Sequence, residues 1–258
     1  MPIVTLLSDW GTTDHYVGAM KGTLLSLNPA FTIVDISHDI RLYDMRHAAF
    51  VMKNVWPTFP KGTIHIISID CIESEVHPHV VAESEGHYFI AADTGLLSLI
   101  LHSPPEHMVA INTLQDSFYF TFPARDRFAK VAALLASGSR LDEIGLPYPQ
   151  LVQKTLMEAD FDGKVFYGKV MYIDRYQNAF VNITERMVRE KNGNKDFRVT
   201  FRSEKKVAFV KAYGDVSPGT VCALFASNGY LQIAVNRGQA ATLFNLNIDT
   251  EVLLILGN

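Results

Sequence analysis

The pattern of apolar positions divides the chain into two parts. Up to about residue 150, short runs of apolar residues alternate with stretches of helical periodicity. The strand-like runs are IVTLL, FTIVDIS, TIHIISID, HYFIAA and MVAIN, and the helix-like segments are YVGAMKGTLLSL, DMRHAAFVMKNVW, DTGLLSLIL and RFAKVAALLASG, the last ending near Gly138. Strands rich in Val and Ile that alternate with helices are typical of a parallel sheet covered on both faces. The pattern predicts a three-layer α/β/α domain with a mostly parallel sheet over residues 1–155.

The second part contains strand-like segments separated by turn residues such as Pro218 and Gly219, with no clear helix between most of them. The segments are KVFYGKVMYID, AFVNI, FRVTFR, KVAFVKAY, TVCALFAS, YLQIAV and EVLLIL. Short strands joined by turns are typical of a small antiparallel barrel or sandwich. We therefore predict a C-terminal antiparallel β-barrel domain over residues 163–258, with the boundary between residues 150 and 163.

Composition and charge exclude several classes of partner. The chain has 258 residues, 48% of them hydrophobic and 19% charged, with a formal net charge of -4. This balance gives no general attraction for nucleic acid or for anionic lipid surfaces, which bind clustered Lys and Arg. The first ten residues have no basic region, and no apolar run approaches the roughly 20 residues that a membrane helix requires. We expect a cytoplasmic protein with neither nucleic acid nor membrane as a partner.

The two cysteines add little chemistry. Cys71 and Cys222 are far apart in the sequence, and there is no CxxC pair. A disulfide framework and a zinc site are therefore not expected. We expect both thiols to be reduced, with Cys222 in the hydrophobic core.

Two carboxylates flank the turn after the first predicted strand. Asp9 ends the strand, and Asp14 precedes the helix-like segment. A carboxylate at this position can accept hydrogen bonds from both hydroxyls of a ribose. The alternative is structural: Asp9 ends the strand and Asp14 caps the helix, which Asp commonly does.

A second group of polar residues follows TIHIISID. Asp70 closes that run, and Glu73, Glu75, His77 and His79 follow within nine residues. Carboxylates and imidazoles at a strand end suit acid/base chemistry or a divalent metal, and a solvated loop is the alternative. His38 follows another strand, where a single His is more often structural. Arg125 can bind a carboxylate or form a surface ion pair with Asp126.

The second half contains two candidate strand–turn–strand segments. IDRYQNAFVNI carries Asp174, Tyr176, Asn178 and Phe180, and SNGYLQIAVNRG carries Ser227, Asn228, Tyr230, Asn236 and Arg237. Aromatic faces stack on a purine, and side-chain amides can bind its edge. The alternative is a pair of ordinary hairpins, in which Asp, Asn and the Asn228–Gly229 pair shape the turns.

Taken in order, seven segments resemble one family, the S-adenosylmethionine (SAM) hydrolases, or hydroxide adenosyltransferases, which are related to fluorinating and chlorinating enzymes. The segments are SDWGTTDHYVGAMKG, IVDISHDI, FPKGT, IAADTGLLS, TFPARDRFA, YIDRYQNAFVNI and SNGYLQIAVNRGQAA. They cover almost the whole chain. The resemblance implies an N-terminal α/β domain, a C-terminal β-barrel, an adenosyl ligand without a further cofactor, and a homotrimer. It implies that the sites lie between the N-domain of one subunit and the C-domain of the next.

The resemblance also implies residue roles. Asp9 corresponds to the residue that holds the ribose hydroxyls, and Tyr43 to an aromatic wall where the fluorinating relatives have Trp. Asp174, Tyr176, Asn178 and Phe180 would hold the methionine part and neighbouring walls, while Ser227, Asn228, Val235, Asn236 and Arg237 would hold the amino-acid carboxylate and the adenine edge. The predicted ligand-binding set also includes Asp14, Tyr16, Asp70, Glu73 and Phe122.

The reaction implied is displacement at the ribose C5′ with methionine as leaving group, for which the family uses an Asp, an Arg and a His. Asp70 matches the Asp, which normally stands in a D-P-G-V-G-T loop. This chain has DCIESEVH there, with His77 at the position of the Arg. Pro123 replaces the His of T-F-H-G-R-D, and Ala124 lacks the hydroxyl of the halide-using relatives. The predicted catalytic residues are therefore Asp70 and His77.

Two hypotheses follow from these departures. In the first, the protein is a divergent SAM hydrolase in which Asp70 and His77 orient or deprotonate water, because His can act as a base near neutral pH. A metal bound by Asp70, Glu73 and His77 is a variant of this hypothesis. In the second, the protein binds an adenosyl ligand and has lost turnover.

Overall fold

The computed structural model describes residues 1–113, 118–192, 196–202 and 204–257. The chain forms two compact units, Met1–Leu156 (unit 1) and Met157–Asn258 (unit 2). Each unit has its own hydrophobic core. Among the described residues, no helix combines the length and the apolar character needed to cross a lipid bilayer.

Unit 1 is built on one sheet. Its strands are β1 (Ile3–Ser8), β2 (Thr32–Ser37), β3 (Ile64–Ser68), β4 (His79–Ser84), β5 (His87–Ala92), β6 (His107–Ile111) and β7 (Gly145–Pro147). Their spatial order is β2-β1-β3-β5-β4-β6-β7. The helices are α1 (Tyr16–Leu27), α2 (Met45–Lys53), α3 (Leu96–Ile100), α4 (Ala129–Ala136) and α5 (Leu141–Ile144), with a 3₁₀ turn at Trp56–Thr58 and a π-helical turn at Ala124–Phe128.

Most strands of this sheet run in one direction, as predicted. The pairs β1–β2, β1–β3 and β3–β5 are parallel. Strand β4 is antiparallel to both β5 and β6, so β6 again points with β5, and β7 is antiparallel to β6. Strand β4 begins at His79, within the stretch that the sequence analysis treated as a polar loop. The carboxyl ends of β1, β2, β3, β5 and β6 therefore share one edge of the sheet.

The helices cover both faces of the sheet because successive strand residues point to opposite sides. Leu6 packs in a core with Met20 of α1 and Val131 of α4. The next residue, Leu7, packs in a second core with Met52 of α2. This alternation produces the predicted α/β/α layers.

A histidine pair is buried in unit 1. His65 Nδ1 lies 2.7 Å from the Thr5 hydroxyl, and His65 Nε2 lies 3.2 Å from His87 Nδ1. Burial, and then the neighbouring charge of His87, lowers the pKa of His65 to about 3. The folded unit therefore holds this imidazole in its neutral form.

We expect His65 to make the protein acid-sensitive. The His65 pKa is about 3 in the folded state and about 6.5 in the unfolded chain, so its full contribution to stability is present above pH 6.5 and is lost as the pH falls toward 3. Between pH 7.5 and pH 5 the loss is about 2 kcal/mol. Urea denaturation at both pH values measures it. His65→Asn should lower stability at pH 7.5 yet remove most of this pH-dependent loss; an unchanged loss would assign it to other groups.

Unit 2 contains a closed barrel. Its strands are β8 (Asp160–Phe161), β9 (Val165–Ile173), β10 (Ala179–Thr184), β11 (Phe197–Phe201), β12 (Glu204–Phe209), β13 (Val221–Phe225), β14 (Tyr230–Val235) and β15 (Glu251–Leu256). Their order is β10-β14-β13-β12-β11-β15-β9-β8, and pairing of β10 with β9 closes a seven-stranded barrel, with β8 added beside β9. Helices α6 (Glu185–Asn192) and α7 (Ala240–Leu243) and a 3₁₀ turn at Tyr213–Asp215 complete the described part of the unit.

Two features of the barrel depart from the sequence prediction. Strands β12 and β13 are parallel, so the barrel is not antiparallel throughout. The residues between these strands, which include the 3₁₀ turn, form a long connection rather than a hairpin, and this permits the parallel pairing. Helix α6 was also not predicted, although the ion pair between Arg189 Nη2 and Glu185 Oε1, at 2.6 Å, has the i,i+4 spacing that stabilises exposed helices.

Candidate functional site

The predicted site residues of unit 1 follow the carboxyl ends of the parallel strands. We call the residues after β1 (9–15), β2 (38–44), β3 (69–78) and β6 (118–123) the edge loops. In open α/β sheets, ligands bind at this edge because the loops there converge. Eight predicted residues lie in or beside the edge loops: Asp9, Asp14, Tyr16, Tyr43, Asp70, Glu73, His77 and Phe122.

Asp9 holds two edge loops together. Its Oδ2 accepts a hydrogen bond from the backbone N–H of Tyr43 at 2.9 Å. Tyr43 has a φ of 60°, a left-handed conformation that is costly for a tyrosine, and its residue surface is 69% exposed. An ionised carboxylate accepts about four hydrogen bonds, so this contact leaves acceptor capacity on Asp9 for a ligand.

An aromatic cluster lies beside Asp9. The rings of Tyr16 and Phe122 pack edge to face with centroids 5.3 Å apart, and Trp10 contacts Phe122 at 5.1 Å. Tyr16 and Phe122 were predicted, and Trp10 was missed although it lies next to Asp9 in the same motif. Asp14 is exposed, and the interpretation that it caps α1 is wrong: the cap position is His15, whose side chain makes no capping hydrogen bond.

Arg125 forms the surface ion pair that was the alternative to carboxylate binding. Its Nε and Nη2 donate to the two carboxylate oxygens of Asp126 at 2.6 and 2.8 Å. The Asp126 hydrogen bond raises the Arg125 pKa. Its guanidinium carbon also lies 5.2 Å from the centre of the Phe122 ring.

Asp70 and Asp9 both lie near the Cys71 thiol. Burial is the largest cause of the raised Cys71 pKa, and the negative charges of Asp9 and Asp70 raise it further. The thiol lies 3.1 Å from the Ser68 hydroxyl. Asp70 has a φ of 47°, so its backbone is held in the left-handed region. The fold thus places Asp9, the predicted ribose-binding residue, and Asp70, the predicted catalytic carboxylate, near one thiol. The raised pKa keeps this thiol protonated.

His77 has a defined tautomer in its neutral form. Its Nδ1 lies 2.9 Å from the backbone carbonyl oxygen of Asp93. A carbonyl can only accept, so Nδ1 carries the hydrogen and Nε2 carries the lone pair. The half-buried His77 ring therefore presents a basic nitrogen away from its anchor.

Glu73 is engaged by a residue that the sequence analysis missed. Its Oε1 accepts from Arg127 Nη1 at 2.5 Å. Across the described residues, no group of three His, Cys, Asp or Glu side chains is arranged to hold a metal ion. Glu73 is thus part of an ion pair, and the proposed metal set of Asp70, Glu73 and His77 is not assembled.

One cavity of about 630 Å³ in unit 2 is lined by every candidate residue of that unit except Tyr230, which makes nine residues. They are Asp174, Tyr176, Asn178, Phe180, Ser227, Asn228, Val235, Asn236 and Arg237. The cavity lies on the outer face of the barrel. Leu231 and Ile233 point into the barrel core, so Gln232 between them points outward, opposite Phe180 of the neighbouring strand.

The turn between β9 and β10 fixes the orientation of the Asn178 side-chain amide in the cavity. Asp174 accepts from the Asn178 backbone N–H at 2.8 Å and from Asn178 Nδ2 at 3.0 Å. A carboxylate only accepts, so the Asn178 amide nitrogen must face Asp174, and its oxygen is left as an acceptor. The same residues that shape the hairpin therefore also present a fixed hydrogen-bond acceptor.

The other turn residues of the cavity are held by the backbone. Gly229 has a φ of 78° and closes the turn after Ser227 and Asn228, as the hairpin alternative predicted. Asn236 donates from Nδ2 to the Val216 carbonyl at 2.7 Å. Arg237 has a φ of 53°. Both hairpin interpretations are thus correct locally, and both turns also line the cavity.

Tyr213 and Gln232 are among the cavity residues that were not predicted. The Tyr213 hydroxyl donates to Gln232 Oε1 at 2.6 Å, and Gln232 is only 1% exposed. Burial raises the pKa of Tyr213, which keeps the hydroxyl protonated. A Gln within the apolar run YLQIAV is the one sequence signal that pointed to this contact.

Family models and curated proteins match almost the whole chain. Residues 4–145 match the model of the SAM hydroxide adenosyltransferase N-terminal domain, and residues 168–253 match its C-terminal domain. The chain is 29% identical to the (R)-S-adenosyl-L-methionine hydrolase of Methanocaldococcus jannaschii, over 99% of this chain and 96% of that protein. It is 26% identical to a fluorinase of Actinoplanes sp., over 97% and 96%.

A solved structure shares the fold. The crystal structure of an uncharacterized conserved protein from Thermotoga maritima aligns with a TM-score of 0.89 and 29% identity, covering 98% of this chain and 99% of that one. The family models together span most of this chain, and the similar proteins match it almost end to end. The chain therefore belongs to the SAM hydroxide adenosyltransferase family, a family of enzymes.

Proposed function

We propose that this protein binds SAM and transfers its adenosyl group to water, which gives adenosine and L-methionine. The observation that carries the proposal is the convergence of nine predicted ligand-binding residues on one cavity of about 630 Å³ in unit 2. A cavity of this size, with aromatic walls and a few fixed polar groups, suits a nucleoside-sized ligand. The names of the similar proteins support SAM as that ligand.

In the proposed complex, each polar group of the protein contacts a different part of SAM. Asp9 accepts from the ribose hydroxyls with the capacity that its contact to Tyr43 leaves free. Tyr43 presents an exposed ring as a wall. The resemblance assigned Asn178 to the methionine part and its neighbouring walls, but the acceptor that its amide oxygen presents suits the 6-amino group of adenine, and we assign it there. The turn at Ser227 and Asn228 offers polar groups for the amino-acid end. No cofactor takes part.

The reaction needs little activation because the sulfonium is already a good leaving group. The oxygen of water forms a bond to C5′ as the bond from C5′ to sulfur breaks, and sulfur keeps the electron pair as methionine leaves. The proton of the attacking water passes to a base. The protein must mainly hold the water in line behind C5′ and remove its hydration.

Asp70 and His77 are the proposed groups for that water. Asp70 orients it through a carboxylate held on a strained backbone. His77 accepts the proton at Nε2, whose lone pair is free because Nδ1 donates to the Asp93 carbonyl. A neutral imidazole can accept a proton at neutral pH, whereas an arginine cannot. Pro123 has no side-chain proton to transfer.

The alternative is an adenosyl-binding protein without turnover. The observation that favours it is the replacement of two family catalytic residues, with Pro123 and His77 in their places. The unit 2 cavity would then serve binding alone. Release of adenosine and methionine from SAM distinguishes the two functions.

A homotrimer is also proposed, with each site completed by a neighbouring subunit. The edge loops carry large apolar side chains that are exposed in the single chain, among them Leu42, Ile72 and Phe118. Exposed apolar groups clustered on one edge indicate an interaction surface. Sedimentation of the purified protein measures its oligomeric state directly.

The orientation of Asn178 predicts a base preference. An acceptor facing the purine suits the 6-amino group of adenosine and not the 6-oxo group of inosine. We expect adenosine to bind at least about tenfold more tightly than inosine, since an unpaired acceptor costs about 1–3 kcal/mol. Asn178→Ala should abolish most of that preference, and equal binding of both nucleosides by the wild type would remove Asn178 from the base site. Competition calorimetry measures both affinities.

Isothermal titration calorimetry with SAM tests the binding proposal itself. We expect one SAM per chain with micromolar or tighter affinity, and weaker binding of adenosine or methionine alone. Comparison of SAM with adenosine alone and with methionine alone gives the contribution of each half of the ligand to the binding free energy. If neither SAM nor adenosine binds, both proposed functions are wrong.

A further inference from the structure

Arg127 is a cation in an unusual position. It lies in the π-helical turn Ala124–Phe128, and its side chain is only 13% exposed. One nitrogen, Nη1, lies 2.5 Å from Glu73 Oε1 and 3.1 Å from His79 Nδ1. Single-turn π-helices often occur at functional sites. Both contacts are long-range in sequence, and both involve the segment that begins at Asp70.

His79 links Arg127 to the backbone of the 70–78 loop. Its Nε2 lies 2.9 Å from the Cys71 carbonyl oxygen, which can only accept, so Nε2 carries the hydrogen. In the neutral ring, Nδ1 then accepts from Arg127. Burial lowers the pKa of His79, and the hydrogen bond to Cys71 opposes that shift. The ring is packed edge to face on Phe128, with centroids 4.8 Å apart.

One guanidinium is thus tied to the 70–78 loop at two points. Arg127 contacts the Glu73 carboxylate directly. Through His79 it is also linked to the backbone carbonyl of Cys71, the residue after Asp70. Asp70 itself has a φ of 47°, a left-handed conformation that costs of order 1–2 kcal/mol for most residues with a side chain and less for Asp. Such a conformation persists only where the surroundings hold it.

We propose that Arg127, acting with His79 and Glu73, is a positioning residue that holds the 70–78 loop in the conformation that presents Asp70 and His77. Removing Glu73 from this pair costs more than removing one partner of an exposed ion pair, because the guanidinium is largely buried. Arg127 Nε has no hydrogen-bond partner in the described part of the protein, so loss of the Glu73 contact would leave the buried charge poorly compensated. The contact therefore favours one loop conformation strongly.

Hydrogen exchange of the ligand-free protein tests this inference without any assumption about the reaction. The Ser74 and His77 amides report on the loop because each donates to the other's carbonyl, at 3.2 Å. We expect Arg127→Met to accelerate exchange at these amides about tenfold or more, with the β3 amides unchanged. Glu73→Gln, an exposed change that preserves packing, should act in the same direction.

Arg140→Met is the matched control, because Arg140 pairs with Asp142 at an exposed site of the same unit. It should leave exchange at Ser74 and His77 unchanged. If the Arg127 and Glu73 variants both leave loop exchange at the wild-type rate, the positioning role is wrong. Acceleration in the control as large as in Arg127→Met would also contradict it.

The catalytic consequence rests on the proposed function. If the wild type hydrolyses SAM, Arg127→Met should lower kcat about tenfold or more and change KM less than threefold, because the ligand contacts remain while the loop loses its alignment. A change confined to KM would contradict the role. If the wild type neither binds nor hydrolyses SAM, the proposed function fails, and the exchange experiment still decides whether Arg127 holds the loop.

Discussion

Replacing Asp70 with Asn is expected to lower kcat for SAM hydrolysis by about a hundredfold to ten-thousandfold, the range found when a group that orients or deprotonates the nucleophile is lost. The amide keeps the size of the side chain and removes its charge. Its backbone can stay left-handed, because Asn tolerates that region well. SAM affinity should therefore change less than threefold. Chromatographic measurement of adenosine release over time gives the rate.

Glu75→Gln is the control for this experiment. Glu75 is an exposed carboxylate of the same loop, and the same chemical change there should leave kcat unaltered. If Asp70→Asn hydrolyses SAM at the wild-type rate, Asp70 is not a catalytic residue. If both variants lose activity equally, the effect belongs to the charge of the loop and not to Asp70.

Replacing Asp9 with Ala is expected to weaken SAM binding by about 1.5 to 3 kcal/mol, roughly 10-fold to 150-fold in Kd, as for lost hydrogen bonds to a charged group. The change removes the proposed ribose acceptor and also the 2.9 Å contact that holds Tyr43. Calorimetry of both proteins gives the difference.

A ligand without ribose hydroxyls separates the two effects. Wild type and Asp9→Ala are each titrated with adenosine and with 2′,3′-dideoxyadenosine. If Asp9 contacts the hydroxyls, the protein change and the ligand change should be strongly non-additive, with little further loss when both are made. Fully additive losses would mean that Asp9 acts only through Tyr43, and an unchanged affinity would remove it from the site.

The fold was largely predictable because hydrophobic periodicity records burial. β14 (Tyr230–Val235) and β15 (Glu251–Leu256) coincide with their predicted runs. β4 was missed because the polar residues before it extend to His79, and a histidine that is buried by packing on Phe128 resembles a loop residue in the sequence. The parallel β12–β13 pair was missed because strand direction depends on the path of the connection.

The candidate site was predictable only in part, and chiefly through resemblance. Short-range patterns made Asp174 and Asn178 look like hairpin residues, which they are, and the resemblance added the cavity that they line. Tyr213 and Arg127 were missed because their partners are far away in sequence. Contacts of this kind leave no periodic signal, so only the folded chain identifies them.

Hydrolysis of SAM in water enriched in ¹⁸O tests the central claim most directly. Purified protein is incubated with SAM in the enriched water, the products are separated, and their masses are measured by mass spectrometry. The account predicts adenosine carrying one ¹⁸O at its 5′-hydroxyl, an equal amount of unlabelled methionine, and formation of both products at least about a hundredfold more slowly with Asp70→Asn. Absence of adenosine while SAM binds, or adenosine without the label, would contradict adenosyl transfer to water.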